Sequence, residues 1–331
     1  MPVAARGRPD GTTARAVAAV MLVALLAGPA AGDPQRRRTD AAGFPPASVS
    51  RHDATARAPV VSTLAIPIGG VSRTATVVLP GSVARPAGHR PPLLVVLHGV
   101  GGRGAELRGL GFEELALARG VAVAYPDGLG ASWNDGRPGI EHESPAEVRD
   151  DVAFLQALIA ELGARAGIDA GRVAVAGFSN GALMTGRLAC EAAGALAAVA
   201  LVAGTVGEGL LGTCRPARPV PVVLVASDGD GIVPYGGGRI ADFNGRRRGR
   251  VASVPDFLAF WAAASGCGPT IVTAVAGAAV PVTRLDAQGC RPGSAVVHYR
   301  VSGGGHEWHR VAGFDTTTAV WDAVAPALGV A

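Results

Sequence analysis

The chain has 331 residues, of which 49% are hydrophobic and 17% are charged, and its net charge is +4. So much apolar material and so few charges exclude a disordered chain and a protein that coats nucleic acid. Its basic residues are all arginine, and the one tight cluster is Arg246, Arg247, Arg248 and Arg250. A nucleic-acid-binding surface needs basic residues clustered over one face of the protein. We therefore predict that these four arginines lie in a solvated loop, with contact to phosphate or an acidic polymer as the alternative.

Residues 1–32 are predicted to be a secretory signal. Three arginines lie in the first 15 residues, an apolar run occupies 16–26, and small residues follow at 28–32. The run is too short to span a membrane, and no cysteine beside the cleavage region offers a lipid anchor. Residues 33–58 are rich in Arg, Pro, Ala and Ser and are predicted to be a flexible linker, which leaves 59–331 as a single folded domain.

The next elements predict an α/β fold. Segments 62–68 and 71–79 flank Gly69-Gly70, which indicates an antiparallel hairpin at a sheet edge. The predicted buried strands are 93–97, 121–125, 173–176, 196–202, 220–226 and 296–301. The predicted helices are 112–119, one opened by the capping sequence Ser144-Pro145-Ala146-Glu147, 182–190, 254–264 (cap Ser253) and 316–328 (cap Asp315). This alternation predicts a mostly parallel central sheet with helices on both faces and with functional loops at the carboxyl ends of the strands.

The chain has four cysteines. Export places them in an oxidising compartment, so two disulfides are predicted. Of the three possible pairings we favour the sequence-local one, Cys190 with Cys214 and Cys267 with Cys290. The alternative is four buried free thiols.

Gly177-Phe178-Ser179-Asn180-Gly181 matches the pattern G-x-S-x-G. In a chain with 48 glycines the match alone is weak. Its position between a predicted buried strand and a predicted helix is typical of a nucleophile elbow, which predicts Ser179 as a nucleophile. The alternative is a glycine-rich turn with an incidental serine.

A serine nucleophile requires N–H donors for the oxyanion that forms on the substrate. The first predicted donor is the backbone N–H of Asn180, the residue after the nucleophile. The second is the backbone N–H of Val100 in the loop after strand 93–97, with Gly99 as the fallback. His98 in the same loop is predicted to have a structural hydrogen-bonding role rather than a catalytic one.

The acid and the base are expected to follow the serine in the chain. Asp228 and Asp230 both lie just past the strand 220–226, and either can be the acid by position, with a turn-forming role as the alternative for Asp228. We choose Asp230, mostly because of the family resemblance described below. His306, in a Gly-rich loop after the last strand, is the predicted base. His309 is its competitor and is predicted to lie at a pocket rim or on the surface. His306 and His309 could together bind a zinc ion only with a third ligand, and the sequence shows no Cys or His cluster that supplies one, so no metal is predicted.

Several ordered motifs resemble the polyhydroxybutyrate depolymerase-like esterase family, which is itself related to feruloyl and acetylxylan esterases. They are Ser132-Trp133-Asn134-Asp135-Gly136-Arg137, Asp150-Asp151-Val152, the Ser179 pentapeptide, Ile232-Val233-Pro234-Tyr235-Gly236-Gly237 and Gly303-Gly304-Gly305-His306. The resemblance spans roughly residues 60 to 329. It implies the α/β-hydrolase fold, secretion, hydrolysis of a carboxylic ester without a cofactor, and Ser179, Asp230 and His306 as the triad. Where the family often has a small residue this chain has Asp228, and two buried carboxylates so close together would raise one pKa.

Trp133 and Trp308 lie beside the predicted site loops and either line an acyl pocket or pack in the core. No module for gripping an insoluble polymer is evident, which favours small or oligomeric esters as substrates, and a monomer is expected. Nucleic acid and a membrane anchor are not expected partners. The competing hypotheses are a non-catalytic secreted binding protein that keeps the fold and a serine peptidase with the same triad.

Overall fold

The computed structural model describes residues 58–81, 88, 90–138, 140, 150–242 and 246–330. All of these residues belong to one compact unit, Asp53–Ala331. The predicted signal at 1–32, nearly all of the predicted linker at 33–58 and the predicted helix cap at Ser144 lie outside the described residues.

The predicted hairpin opens the described chain. Strands β1 (Val60–Ile68) and β2 (Val71–Leu79) pair antiparallel, and β1 is an edge strand. Gly69 and Gly70 in the turn have φ values of 57° and 77°. Positive φ at both central residues suits the right-handed twist of a two-residue hairpin, and glycine adopts it without a steric penalty.

The remaining strands are β3 (Leu93–Leu97), β4 (Ala122–Pro126), β5 (Val173–Phe178), β6 (Ala198–Val202), β7 (Val222–Ser227), β8 (Gly238–Arg239), β9 (Arg250–Val251), β10 (Thr270–Ala274), β11 (Val282–Ala287), β12 (Val296–Val301), β13 (Arg310–Val311) and β14 (Phe314–Asp315). Ten of them form one sheet in the order β1-β2-β4-β3-β5-β6-β7-β12-β11-β10. From β4 to β12 all neighbours are parallel. Strands β3, β4, β6 and β7 are buried along their whole length, which explains their continuous apolar sequences and confirms the predicted sheet.

Strands β10 and β11 extend the sheet antiparallel beyond β12 and were not predicted. Every residue of β10 is exposed, and β11 mixes Thr, Arg and Asp with apolar residues. Neither has the continuous apolar run that marks a central strand, so only the pairing of β11 with β12 and of β10 with β11 establishes them.

Six α-helices are described, namely α1 (Phe112–Ala118), α2 (Asp151–Arg165), α3 (Asn180–Glu191), α4 (Leu210–Thr213), α5 (Val254–Ser265) and α6 (Thr316–Val324). The predicted caps of α5 and α6 are confirmed, because Ser253 Oγ accepts from Asp256 N at 3.0 Å and Asp315 Oδ1 from Thr318 N at 2.9 Å. The apolar stripe predicted for the second helix lies in α2, which begins at Asp151. Asp150 caps α2 by accepting from Ala153 N at 2.9 Å.

Two apolar layers cover the sheet, one on each face. Helices α2, α3 and α5 contribute Phe154, Leu188 and Trp261 to one layer, whereas α1 and α6 contribute Phe112 and Trp321 to the other. The prediction of helices on both faces is therefore confirmed. No helix in the described part of the chain is long and apolar enough to cross a membrane.

All four cysteines are paired, Cys190 with Cys214 and Cys267 with Cys290. These are the two predicted pairings. The first bond joins α3 to the residue that ends α4, and the second joins the segment after α5 to the segment after β11.

Candidate active site

Ser179 lies at the tight turn between β5 and α3. Its φ and ψ are 55° and −119°, a conformation that costs an L-residue of order 1–3 kcal/mol. Its backbone N–H donates to Val202 O on the neighbouring strand at 2.9 Å, which holds the turn at the carboxyl edge of the sheet. The turn leaves Ser179 half-buried with Oγ within hydrogen-bond distance of His306, as in a nucleophile elbow.

The two glycines of the pentapeptide permit this turn. A Cβ built on Gly177 would lie 2.1 Å from Gly181 O, and one on Gly181 would lie 2.4 Å from Leu97 O. Both obstacles are backbone atoms, which cannot move aside as a flexible side chain can.

We expect Gly177→Ala to lower the free energy of unfolding by at least ~3 kcal/mol, because overpacking against backbone is costly. The urea unfolding midpoint measures this. Gly194→Ala is the matched control, since a Cβ there meets nothing within 4 Å. Equal midpoints for the two variants would contradict the steric account of the elbow.

His306 connects Ser179 to Asp230. Its Nε2 lies 2.9 Å from Ser179 Oγ, and its Nδ1 lies 2.7 Å from Asp230 Oδ2. Because a carboxylate only accepts, Nδ1 carries the proton and Nε2 is free to accept from the serine hydroxyl. The His306 and Asp230 side chains are 11% and 3% exposed, so little water competes for these bonds. A neutral imidazole so placed can take the hydroxyl proton.

Asp230 and Asp228 face different partners. Asp230 Oδ1 accepts from the backbone N–H groups of Ile232 and Val233 at 2.8 and 2.9 Å, which leaves Oδ2 for His306. Asp228 instead accepts from Gly303 N at 2.6 Å and from Arg300 Nε at 2.9 Å. The Gly303 N–H, with help from the Arg300 guanidinium, lowers the pKa of Asp228. The neighbouring carboxylate of Asp230 therefore does not raise the pKa of Asp228. The Asp228 side chain is partly exposed, and the Gly303 N–H and the Arg300 guanidinium stabilise its negative charge.

The two predicted oxyanion donors flank the serine. Asn180 is the first residue of α3, where backbone N–H groups have no partner within the helix. Val100 lies in the loop after β3, and its neighbour Gly99 touches the elbow, since a Cβ on Gly99 would lie 3.3 Å from Ser179 Cβ. Among the described residues, neither the Asn180 N–H nor the Val100 N–H has an acceptor. Both are thus available to an oxygen bound at Ser179.

His98 stiffens the loop that carries Val100. Its Nε2 accepts from Gly128 N at 2.9 Å, so Nδ1 donates to Gly99 O at 2.7 Å. Burial lowers the pKa of the His98 imidazole, which keeps the ring neutral. These bonds agree with the predicted structural role.

Trp133 and Trp308, the two tryptophans beside the predicted site loops, differ in how far they are buried. Trp133 has no exposed surface, so its proposed place in the lining of a substrate pocket is wrong and the packing alternative holds. Its indole N–H donates to His98 O at 2.9 Å. Trp308 is partly exposed and donates to Thr317 Oγ1 at 2.9 Å. It packs edge-on against Phe178, whose ring lies 5.2 Å from the His306 ring, so Trp308 remains a candidate for substrate contact.

His309 is buried rather than at a rim or on the surface as predicted. Its Nε2 lies 2.8 Å from Ser227 Oγ at the end of β7. Burial lowers the pKa of His309. The side chain thus ties the loop that carries His306 to the strand that precedes Asp230. In the described part of the chain no cluster of His, Cys, Asp and Glu could hold a metal ion.

A buried polar network lies behind the elbow, and sequence reasoning assigned it no role. Arg137 forms an ion pair with Asp135, whose Oδ2 accepts from Asn180 Nδ2 at 2.5 Å. Arg73 pairs with Asp151 at 2.6 Å in a second buried ion pair. Asp135, Arg137 and Asp151 lie in motifs that carry the family resemblance, which was an available signal, whereas nothing in the sequence around Arg73 marks it.

Proteins of similar sequence are esterases by name. "Putative esterase NocK" of Nocardia uniformis subsp. tsuyamanensis is 32% identical over 243 residues, which cover 69% of this chain and 68% of that protein. "Feruloyl esterase B" of Piromyces equi is 29% identical over 223 residues, 65% of this chain but only 39% of that protein. No family model matches the chain.

Among solved structures, "Acetyl xylan esterase from Aspergillus awamori" superposes with a TM-score of 0.52, covering 80% of this chain and 98% of that chain at 14% identity. At that identity the likeness concerns the fold alone. The fold, the site geometry and the sequence similarity to NocK lead to one conclusion: the chain belongs to the family of α/β-hydrolase esterases that includes NocK, and it is a carboxylic ester hydrolase.

Proposed function

We propose that the protein is a serine esterase that works through an acyl-enzyme, with Ser179 as nucleophile, His306 as general base and acid, and Asp230 as the residue that orients the base. The continuous contact from Asp230 through His306 to Ser179 Oγ carries this proposal. The order serine, acid, histidine along the chain is the one expected for this fold.

The first half-reaction forms the acyl-enzyme. Ser179 Oγ attacks the ester carbonyl carbon while its proton passes to His306 Nε2. The carbonyl oxygen becomes an oxyanion that accepts from the Asn180 and Val100 N–H groups, and each donor contributes ~3–4 kcal/mol to transition-state stabilisation. The tetrahedral intermediate then expels the alcohol, which takes the proton from His306.

The second half-reaction releases the acid. His306 Nε2 removes a proton from water, the resulting hydroxide adds to the acyl carbon, and the same two N–H groups hold the new oxyanion. The intermediate expels Ser179 Oγ, which regains its proton from His306. Asp230 stays ionised throughout and stabilises the imidazolium that forms in each half-reaction.

We propose small or oligomeric carboxylic esters as substrates, namely 3-hydroxybutyrate oligomers, feruloyl esters or acetyl esters. The family resemblance, which extends to feruloyl and acetylxylan esterases, supports all three, and the name of the similar Feruloyl esterase B also supports the second. The partly exposed aromatic wall of Phe178 and Trp308 beside His306 favours an acyl group that can pack against rings.

A panel of esters tests the function. Purified protein is assayed on p-nitrophenyl acetate, butyrate and octanoate, methyl ferulate, a casein-derived peptide and 3-hydroxybutyrate oligomers. We expect cleavage of at least one ester and none of the peptide, and the best substrate identifies the acyl class. Peptide cleavage without ester cleavage would indicate a peptidase. A folded protein that cleaves nothing and resists labelling by a fluorophosphonate probe would indicate a binding protein.

The two disulfides support function in an oxidising compartment, where such bonds persist. We extend the proposal to secretion through the predicted signal at residues 1–32 and to a monomeric enzyme.

A further inference from the structure

The loop that follows β4, residues 127–137, contacts both segments that carry the proposed oxyanion donors. From this arrangement we infer that the indole N–H of Trp133 and the carboxamide of Asn180 are positioning groups that hold the Asn180 and Val100 N–H donors at a fixed separation. The inference rests on the proposed function, because it concerns the oxyanion site of that mechanism.

The first contact joins the loop 127–137 to the start of α3. Asn180 Oδ1 accepts from Trp133 N at 2.7 Å, and Asn180 Nδ2 donates to Trp133 O at 3.1 Å. The carboxamide therefore bonds both backbone polar groups of one residue. All of these atoms are buried, and an unmade hydrogen bond there costs ~1–3 kcal/mol. The side chain of Asn180 thus fixes its own backbone N–H relative to Trp133.

An ion pair anchors this contact from behind. Asn180 Nδ2 also donates to Asp135 Oδ2 at 2.5 Å. Arg137 Nε donates to both oxygens of that carboxylate, at 2.8 and 2.9 Å. Arg137 Nη1 donates to Arg248 O at 2.8 Å. The Asp135 and Arg137 side chains are almost fully buried, so these bonds have little competition from water. The carboxamide of Asn180 therefore cannot rotate without breaking a buried charged network.

The second contact joins the loop 127–137 to the loop that carries Val100. Trp133 Nε1 donates to His98 O at 2.9 Å. Two further bonds join the same loops, from Gly128 N to His98 Nε2 at 2.9 Å and from Gly101 N to Ala131 O at 2.7 Å. Val100 thus lies between His98 and Gly101, which are both hydrogen-bonded to the loop that also contacts Asn180.

A common support matters because the two donors come from different parts of the chain. One donor begins α3 and the other follows β3, so sequence alone does not set the distance between them. Oxyanion donors act only within ~2.7–3.1 Å of the developing charge, and a displacement of about 1 Å can cost roughly 100-fold in rate. A rigid buried bridge from one donor to the other limits such displacement.

Trp133→Phe tests the inference, because it removes the indole N–H and keeps an aromatic ring in the core. The probes are p-nitrophenyl acetate and its thiono analogue, in which sulfur replaces the carbonyl oxygen. Sulfur is a weak acceptor, so the oxo-to-thiono ratio of kcat/KM reports how well the donors are aimed. We expect the variant to lose about 10-fold in kcat on the oxoester with little change in KM, and the ratio to fall by a similar factor.

Trp261→Phe is the matched control. Trp261 is also fully buried, but its indole N–H has no partner among the described residues, and it lies in α5. Loss of packing alone predicts equal ratios for both variants and the wild type, and that result would overturn the inference. If Trp133→Phe does not fold, Asn180→Ala breaks the other contact and must lower the ratio likewise. Wild-type protein without Ser179-dependent activity would instead overturn the proposed function, and with it this inference.

Discussion

Ser179→Ala is expected to lower kcat/KM for any ester substrate by roughly 10⁴- to 10⁶-fold, because without Oγ there is no acyl-enzyme and His306 has nothing to activate. A small residual rate over water is expected from the intact oxyanion donors. The fold should survive the change. Among the described residues the Oγ atom bonds only to His306, and alanine adopts positive φ elsewhere in this protein, at Ala131 and Ala203.

Steady-state kinetics on the best ester of the panel measure the loss, and mass spectrometry after mixing tests for an acyl adduct on the wild type alone. Ser265→Ala is the control, since Ser265 is a fully buried serine in α5 whose Oγ has no hydrogen-bond partner among the described residues. It removes the same atom away from the proposed site, so activity should stay within about tenfold of wild type. Retained activity in Ser179→Ala would remove the proposed nucleophile.

Asp230→Asn is the second large effect, with an expected loss of about 10⁴-fold in kcat. An amide at this position can donate to Nδ1 and so favours the tautomer in which Nε2 carries the proton. His306 could then no longer accept the proton of Ser179. The two backbone N–H groups of Ile232 and Val233 would still face Oδ1, so the loop should keep its shape.

Asp228→Asn is the comparison that makes this prediction specific. Asp228 contacts Gly303 N and Arg300 and does not contact His306, so we expect a loss of less than about tenfold. The same chemical change two residues apart separates the acid from a loop residue. Steady-state kinetics at several pH values, with unfolding midpoints for both variants, provide the measurement. The reverse ranking would assign the acid to Asp228.

Much of the fold was accessible from local pattern. Strands such as Leu93–Leu97 and Ala198–Val202 are short apolar runs, as expected of a strand that is buried on both faces of a sheet. The Gly69-Gly70 turn and the caps Ser253 and Asp315 depend on residues a few positions apart, so their physics is local. The order of serine, acid and histidine along the chain could likewise be read from motifs.

Tertiary structure determined the features that depend on contacts between residues far apart in the sequence. Strand β10 is polar and exposed and exists as a strand through its pairing with β11. Asp151, the first residue of α2, pairs with Arg73, which lies 78 residues away in the sequence. His309 was expected at a pocket rim or on the surface, and Trp133 either in a pocket lining or in the core, and both are buried. Trp133 donates its indole N–H to His98 O, and His309 is hydrogen-bonded to Ser227 Oγ. The sequence by itself determined the buried central strands and most of the helices, and it marked the candidate reactive residues. Only the folded chain determined which buried polar groups meet, since a hydrogen bond depends on distance in space rather than on separation along the chain.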